Sequence, residues 1–545
     1  QLDVVLSREE IEIRRELDRW LIDPLHGPQM RFLSAAGEQP ARSIRQREQL
    51  LDRWRAFASS IHELELDART KADIGYVAPR GSIERNVAQL DALLAIPTLD
   101  SPLLAPACGG GRWIPKSPDE RLPDIAQREL GDALAQEALV ALNPHLLDPE
   151  VRARGTWVLI PSATDPLAPE ERGAFVAEVA AVIDDEIRPA LESWRDALAF
   201  DLALKAPTDQ QPGLLALPGG SGLYRDLVWM HTTTWTEPGA ISDRALDELE
   251  ALETELAEVA SEALGVSDLD RVRTLLRGGA ASSHPNAGAV EAALRSDLAN
   301  VQDRLDDWFF DRSRNALVVT IEQRFDRDPA EAIAYLPPAT DSSRPGRLVV
   351  DVGADREPVY ATAAAAYGEG VPGRHYMRGL LRDRNDLPLF RRYASPTVIE
   401  EGWVDYAERL ADEMELYAGS LERVGMLRRA VERRALAVAD VGLHVEGWSR
   451  DDARDFLRRR TYLAPSEVEL QIDLVLARPG AALAPVVGSV AIRGLRDAAE
   501  RALGDDFDIR AFHEALTLDG PVDLRWLADR VGNWGDFDGR AAIAI

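Results

Sequence analysis

Apolar residues recur at three- and four-residue spacing through most of the chain, which predicts helices separated by Gly- and Pro-marked turns. Near the start, Ser7 with Glu10 forms a capping-box pair, followed by Ile11, Ile13, Leu17, Trp20 and Leu21. Helices are expected over 46–61, from Ser82 as cap to about 94 after the Tyr76–Pro79 turn, and over 124–142. Pro166 and Pro169 open a long one over 170–206, kinked at Pro189. Leu217–Tyr224 reads as a turn, and 243–264 as an amphipathic helix. Ala361–Ala366 reads as a buried helix. Later, Ser449 with Asp452 caps one helix, Ser466 with Glu469 is a second capping box, and Phe512-His513 lies in a helix near the C-terminus.

The helical period breaks over 315–352. Short β-branched runs at 316–321, 332–336 and 348–352, bounded by Pro, Gly and Asp, predict a small antiparallel sheet whose edge could pair with an extended peptide. Cys108-Gly109-Gly110-Gly111 reads as a loop, because it lacks the following Lys-Ser/Thr and the preceding strand of a phosphate cradle.

Composition narrows the class. The chain has 545 residues, 46% hydrophobic and 29% charged, enough to bury a large core. A net charge of -30, from 93 acidic and 63 basic residues, argues against binding nucleic acid or an anionic membrane surface. The single cysteine, Cys108, permits no internal disulfide. No apolar run reaches spanning length. The expected location is the cytoplasm, with secretion or a lipid anchor left open because the chain begins at Gln1.

The candidate chemistry gathers at Tyr367-Gly368-Glu369-Gly370-Val371-Pro372-Gly373-Arg374-His375-Tyr376-Met377. A zinc-hydrolase helix commonly carries a His-Glu pair at such a place: the His holds the metal and the Glu polarises its water. Here the Glu is Glu369, and Gly368 stands before it. Downstream, Glu401, Asp405 and Glu408 fall on one helical face. Asp405 and Glu408 are expected to be solvated, whereas Gly402 and Trp403 suggest close packing beside Glu401. Trp229–Trp235 flanks His231 and three threonines, which either line a pocket or satisfy a buried histidine.

Several ordered stretches together resemble the DUF885 family, itself similar in fold to M32-type metallocarboxypeptidases among the zincin peptidases. They are the Tyr76–Val87 segment, Leu217–Gly220 with Tyr224, His231-Thr232-Thr233, Glu369–His375, Glu401-Gly402-Trp403 with Tyr406 and Glu408, Asp440–His444, Pro479-Gly480 with Gly488, and Phe512-His513. The resemblance implies a mainly α, cleft-containing fold over 1–545, with a small sheet at the cleft edge and a subdivision into 1–210 and 211–545. It implies Glu369 as general base and Glu401 as carboxylate ligand, with Tyr224, His231, Tyr406 and His444 as substrate-facing candidates. The family's His-Glu-x-x-Pro-Gly-His-His pattern is altered. Its first His is Gly368, the next is Arg374, and only His375 remains. Leu474-Val475, Ala481 and Pro485-Val486 replace further family residues.

Catalytic zinc takes three protein ligands and one water. Gly368 donates nothing, and Arg374 brings a permanent positive charge. His375 reaches such a metal only if Pro372-Gly373 bends the helix, since seven residues of straight helix rise about 10 Å. Arg374 can instead pair with Glu369 or Glu401 and stand in for the metal's charge. Three functions stay open. The first is a pseudoenzyme binding a peptide or small molecule, with no cofactor. The second is a hydrolase holding zinc or another divalent metal through His375, Glu401 and His444 or His231. The third is metal-free acid/base chemistry with Glu369 as base and Arg374 holding an anion. For His444 and His513, structural packing is the competing role.

Overall fold

Buried stripes at helical spacing set the framework of the computed structural model, which describes all residues except 1, 26, 37–38, 40, 110–111, 117, 119, 149–155, 163–166, 278–282, 323–331, 340–343, 353–356, 385, 389–390, 393–395, 518–519, 521 and 544–545. Backbone contacts divide the chain into residues 19–206 and a larger unit of 1–18 with 207–545.

In the smaller unit, Ser43 and Gln46 form a capping box that starts a helix over Ile44–Asp73. It runs three turns beyond the predicted 46–61 because Glu65, Ala68 and Ala72 continue the buried stripe of Leu50, Trp54, Ala58 and Ile61. Glu65 tolerates that position by accepting from Ser193 at 2.7 Å. Ser82 is not a cap: it lies inside Arg80–Ala95, after Pro79, and its hydroxyl donates to the Ile22 carbonyl. The expected 124–142 helix is two, Leu122–Leu130 and Gln136–Leu142, separated at Gly131, whose φ of 77° ends the first. Pro169–Val182 and Arg188–Ala197 run through Pro189 by way of one wide turn, Ile183–Ile187. Pro166, Gly110 and Gly111 lie outside the described residues. Strand β1 (Arg112–Lys116) pairs antiparallel with β2 (Thr156–Ile160).

The larger unit carries the motif. Helix α1 spans Leu2–Arg15, so Ser7 and Glu10 lie within it rather than at its cap. Arg14 and Arg15 reach Asp226 on α2 (Gly220–Thr232). The expected turn at 217–224 is already helix from Gly220, with Gly219 left-handed at φ 65°. α3 (Pro238–Leu264) packs along α8 (Ser420–His444). Between them in sequence come α4 (Ala287–Val301), α5 (Val359–Ala365), α6 (Arg374–Asp383) and α7 (Thr397–Glu413). α9 (Pro465–Ala477), α10 (Leu483–Leu503) and α11 (Ile509–Thr517) follow. α9 is capped by Glu467 accepting from Ala464 N–H at 2.6 Å, which displaces the expected Ser466–Glu469 box. Ser449 and Asp452 do form theirs.

The sheet is mixed rather than antiparallel. Its order is β3 (Leu317–Glu322), β5 (Gly346–Asp351), β4 (Ile333–Leu336), with β3 parallel and β4 antiparallel to β5. β4 takes the far edge, so β5 returns in the direction of β3 and becomes the buried central strand. α7 crosses α10 where Gly402 meets Gly488. A methyl group on either glycine would strike backbone of the facing helix.

Candidate functional site

The alanine-rich α5 is buried from Tyr360 to its end and leads into one wide turn, Ala366–Gly370. The cis Val371-Pro372 bond then leads into α6. This break separates Glu369 from the helix that bears Arg374. Trp403 on α7 pins it, its indole N–H donating to the carbonyls of Pro372 at 3.0 Å and Gly373 at 3.1 Å. Three consecutive residues of α7 thus have separate tasks. Glu401 faces Arg374, Gly402 admits α10, and Trp403 holds the bend.

Arg374 bridges two carboxylates. Its Nε donates to Glu369 at 2.7 Å, and its Nη1 and Nη2 donate to the two oxygens of Glu401 at 2.9 and 3.0 Å. Glu400 lies 3.9 Å from Nη1 and is paired by Arg378. The side chains of Glu369, Arg374 and Glu401 are 16%, 17% and 34% exposed, so solvent reaches the cluster. Burial opposes charge on Arg374, but Glu369 and Glu401 outweigh it and hold the guanidinium protonated. Burial likewise pushes Glu401 up, and the charge and hydrogen bonds of Arg374 bring it below the ordinary carboxylate value.

Gly368 has no room for a side chain, since a Cβ there would lie 2.5 Å from Glu408 Oε1. His375 turns to the sheet. Its Nε2 meets the Asn315 carbonyl at 3.1 Å, and its Nδ1 meets the Tyr335 hydroxyl at 3.2 Å. Nε2–H therefore donates and Nδ1 accepts, and burial lowers the imidazole to about 4. Zinc does not fit this donor set. A guanidinium stands between the two carboxylates, and both nitrogens of His375 are engaged. Among the described residues no group of three or more His, Cys, Asp or Glu could hold a metal ion.

The expected solvated face of α7 is buried instead. Asp405 is 6% and Glu408 1% exposed. Arg434 donates to Asp405 at 2.6 Å, and Arg433 clamps Glu408 at 2.6 and 2.7 Å while also reaching Asp405 at 3.0 Å. Arg429 adds a third contact to Glu408 at 2.9 Å. Burial opposes charge on Asp405, yet Arg434 and Arg433 hold it well below its usual range. These arginines escaped the sequence reading. Their signal is Arg428-Arg429 and Arg433-Arg434 on a helix otherwise rich in Val, Leu and Ala, where buried cations demand anions.

The other candidates lie deeper. Tyr224 donates to Asp440 at 2.9 Å and stacks on His444, ring centres 5.3 Å apart. His444 accepts from Leu214 N–H at 3.1 Å and meets the Val475 carbonyl at 3.2 Å. Tyr406 meets His513 Nε2 at 2.9 Å, and His513 Nδ1 meets the Trp308 carbonyl at 2.8 Å. Tyr224, Tyr406 and His444 are each at most 2% exposed, and these bonds occupy their polar atoms. His231 differs. Its Nδ1 is buried without a hydrogen-bond partner among the described residues. Burial lowers it to about 3, helped by Arg478, whose charge also acts on Glu401.

The fold and site define a mainly helical protein with a small mixed sheet and an arginine-filled carboxylate pair. A family model described as a bacterial protein of unknown function, DUF885, matches residues 1–531, and the chain belongs to that family. It is similar to the crystal structure of "the putative lipoprotein from Colwellia psychrerythraea", with 21% identity over 95% of this chain and 81% of that one, TM-score 0.80. A "putative lipoprotein of unknown function" from Shewanella oneidensis aligns at 13% identity over 96% and 98% of the two chains, TM-score 0.53. These likenesses concern the fold alone. No curated protein matches the chain. Among the described residues no helix is long and apolar enough to cross a membrane.

Proposed function

We propose that this chain is a ligand-binding protein on a hydrolase-type scaffold resembling the M32 metallocarboxypeptidases, and that it takes a peptide or small molecule without hydrolysing it through zinc. The observation that supports this is the Arg374 guanidinium between Glu369 and Glu401. A dication about 4 Å from a fixed guanidinium meets roughly 8 kcal/mol of repulsion at an effective dielectric of about 20. Structural zinc gains about 10–16 kcal/mol from a full ligand set. Here the carboxylates are spent on Arg374 and the imidazole of His375 faces Asn315, so little of that gain is available to offset the repulsion. The solved structures described as lipoproteins make a lipid anchor an alternative to the cytoplasm within this reading.

The test is elemental analysis of the purified protein after zinc loading, with a dipeptide and tripeptide library assayed with and without chelator. The expected outcome is substoichiometric zinc and no peptide turnover. Stoichiometric zinc, with turnover abolished by chelator, would overturn the proposal.

A further inference from the structure

A cavity of about 410 Å³ opens between α4, β3 and the first turn of α6. Its volume lies within the range of about 300–1,000 Å³ usual for small-molecule sites. Gly370 separates it from the charged cluster. The missing side chain of Gly370 faces Leu298 and Leu317 of the cavity wall, whereas the carboxylate of Glu369 meets Arg374.

The lining departs from the acidic composition of the chain. It holds two arginines, Arg295 and Arg312, and no carboxylate, in a protein of net charge -30. Both arginines sit at the mouth, 54% and 43% exposed. The floor is apolar, with Leu305 and Val319 buried.

Hydrogen-bond accounting sets the polarity of what fits. Glu291 holds Arg295 through Nε and Nη2, and Nη2 also donates to the Val319 carbonyl at 2.6 Å. Asp306 and Gln302 take all three nitrogens of Arg312. The Oε1 of Gln302 is thereby used. What remains at the mouth, among the described residues, is Arg295 Nη1 and Gln302 Nε2, and both only donate. Among the described residues the opposite wall holds no charged group: His375 is bonded to the Asn315 carbonyl and Tyr335, and the Asn315 amide nitrogen to Gly379 and Asp383, which leaves Asn315 Oδ1 as a neutral acceptor. Donors at the rim and hydrocarbon at the floor match an acceptor-headed ligand with an apolar body.

We propose that this cavity binds a small amphipathic carboxylate, with its head on Arg295 and Gln302 and its body on Leu305, Leu317 and Val319. This stands apart from the pseudoenzyme reading, because none of the three residues of the charged cluster lines the cavity.

Isothermal titration with octanoate, octylammonium and octanol tests it. Octanoate is expected to bind saturably, one per chain, and octylammonium roughly tenfold more weakly. Arg295→Met should weaken octanoate roughly tenfold and leave octanol unchanged. Gln302→Glu, on the exposed face of the helix end, should do the same and guards against a folding defect in the first variant. Ala299→Trp should obstruct the cavity and weaken octanoate and octanol together. The proposal is overturned by the absence of saturable octanoate binding to the folded protein. It is equally overturned by octylammonium binding as tightly as octanoate, or by octanoate binding that none of the three variants weakens.

Discussion

Replacing Arg374 by Met would leave Glu369 and Glu401 facing each other with no cation between them. Fully buried pairs broken on one side lose about 3–5 kcal/mol, and exposed pairs about 0.2–1. At 17% exposure Arg374 lies between these limits. Arg374→Met is therefore expected to lower stability by about 2 kcal/mol in urea unfolding. Arg374→Lys should recover only part of it, because a point charge cannot donate to both carboxylates in the geometry of a planar fork. Equal stability of the Met variant and the parent would remove the argument. Gly368 belongs to the same scale. Glu408, locked by Arg429 and Arg433, fills the space a side chain there would need. A histidine restored at 368 meets that clamp before it meets a metal.

Between elements, the decisive contact is the crossing of α7 and α10. Gly402 lets α10 approach closely, and the same helix then presents Glu401 and Trp403 to the bend at 370–373. Gly402→Ala forces the helices apart, and overpacking of this kind costs about 1–3 kcal/mol. The expected result is a lower urea midpoint with an unchanged denaturant slope, together with altered fluorescence from Trp403. A Gly402→Ala protein as stable as the parent would show that the crossing is looser than drawn. The helices themselves follow local pattern. Their misplaced ends, at Ser7, Ser82 and Ser466, arise because a capping residue is chosen by where the chain turns, and that depends on the packing of neighbouring elements.

At the scale of the molecule, buried histidines set the pH response. Burial lowers His375 and His444 to about 4, and His231 and His513 to about 3. Each lies below its unfolded value near 6.5, so the unfolded chain binds more protons between these limits and stability falls as pH drops from about 6.5 toward 4. Asp440 runs the other way. Burial raises it to about 7 against its hydrogen bonds from Gly480, Tyr224 and Ala482. Its contribution is present below about 3.9 and lost as pH rises through 7. Asp297, raised to about 7 by burial and by Glu422, acts in the same sense as Asp440. The four histidines outweigh the two carboxylates, so urea unfolding at pH 5 is expected to give a stability lower than at pH 7 by roughly 2 kcal/mol or more. His513→Gln should flatten that difference. Equal stability at the two pH values would contradict it.

The residues alone determine a mainly helical chain, a strand-bearing insertion near 315–352, membership signals spread from Tyr76 to His513, and Arg374 as a cation set among glutamates. Each of these is local: a helical period, a β-branched run, or a short motif whose members lie within a few turns. Tertiary structure decided the rest. It buried Asp405 and Glu408, because their arginines come from a helix more than twenty residues further on. It laid β3 parallel to β5, and it turned His375 to Asn315, sixty positions earlier. Whether a charge is solvated or paired, and which way an imidazole points, depends on groups brought together only by packing, and no spacing along one segment records them.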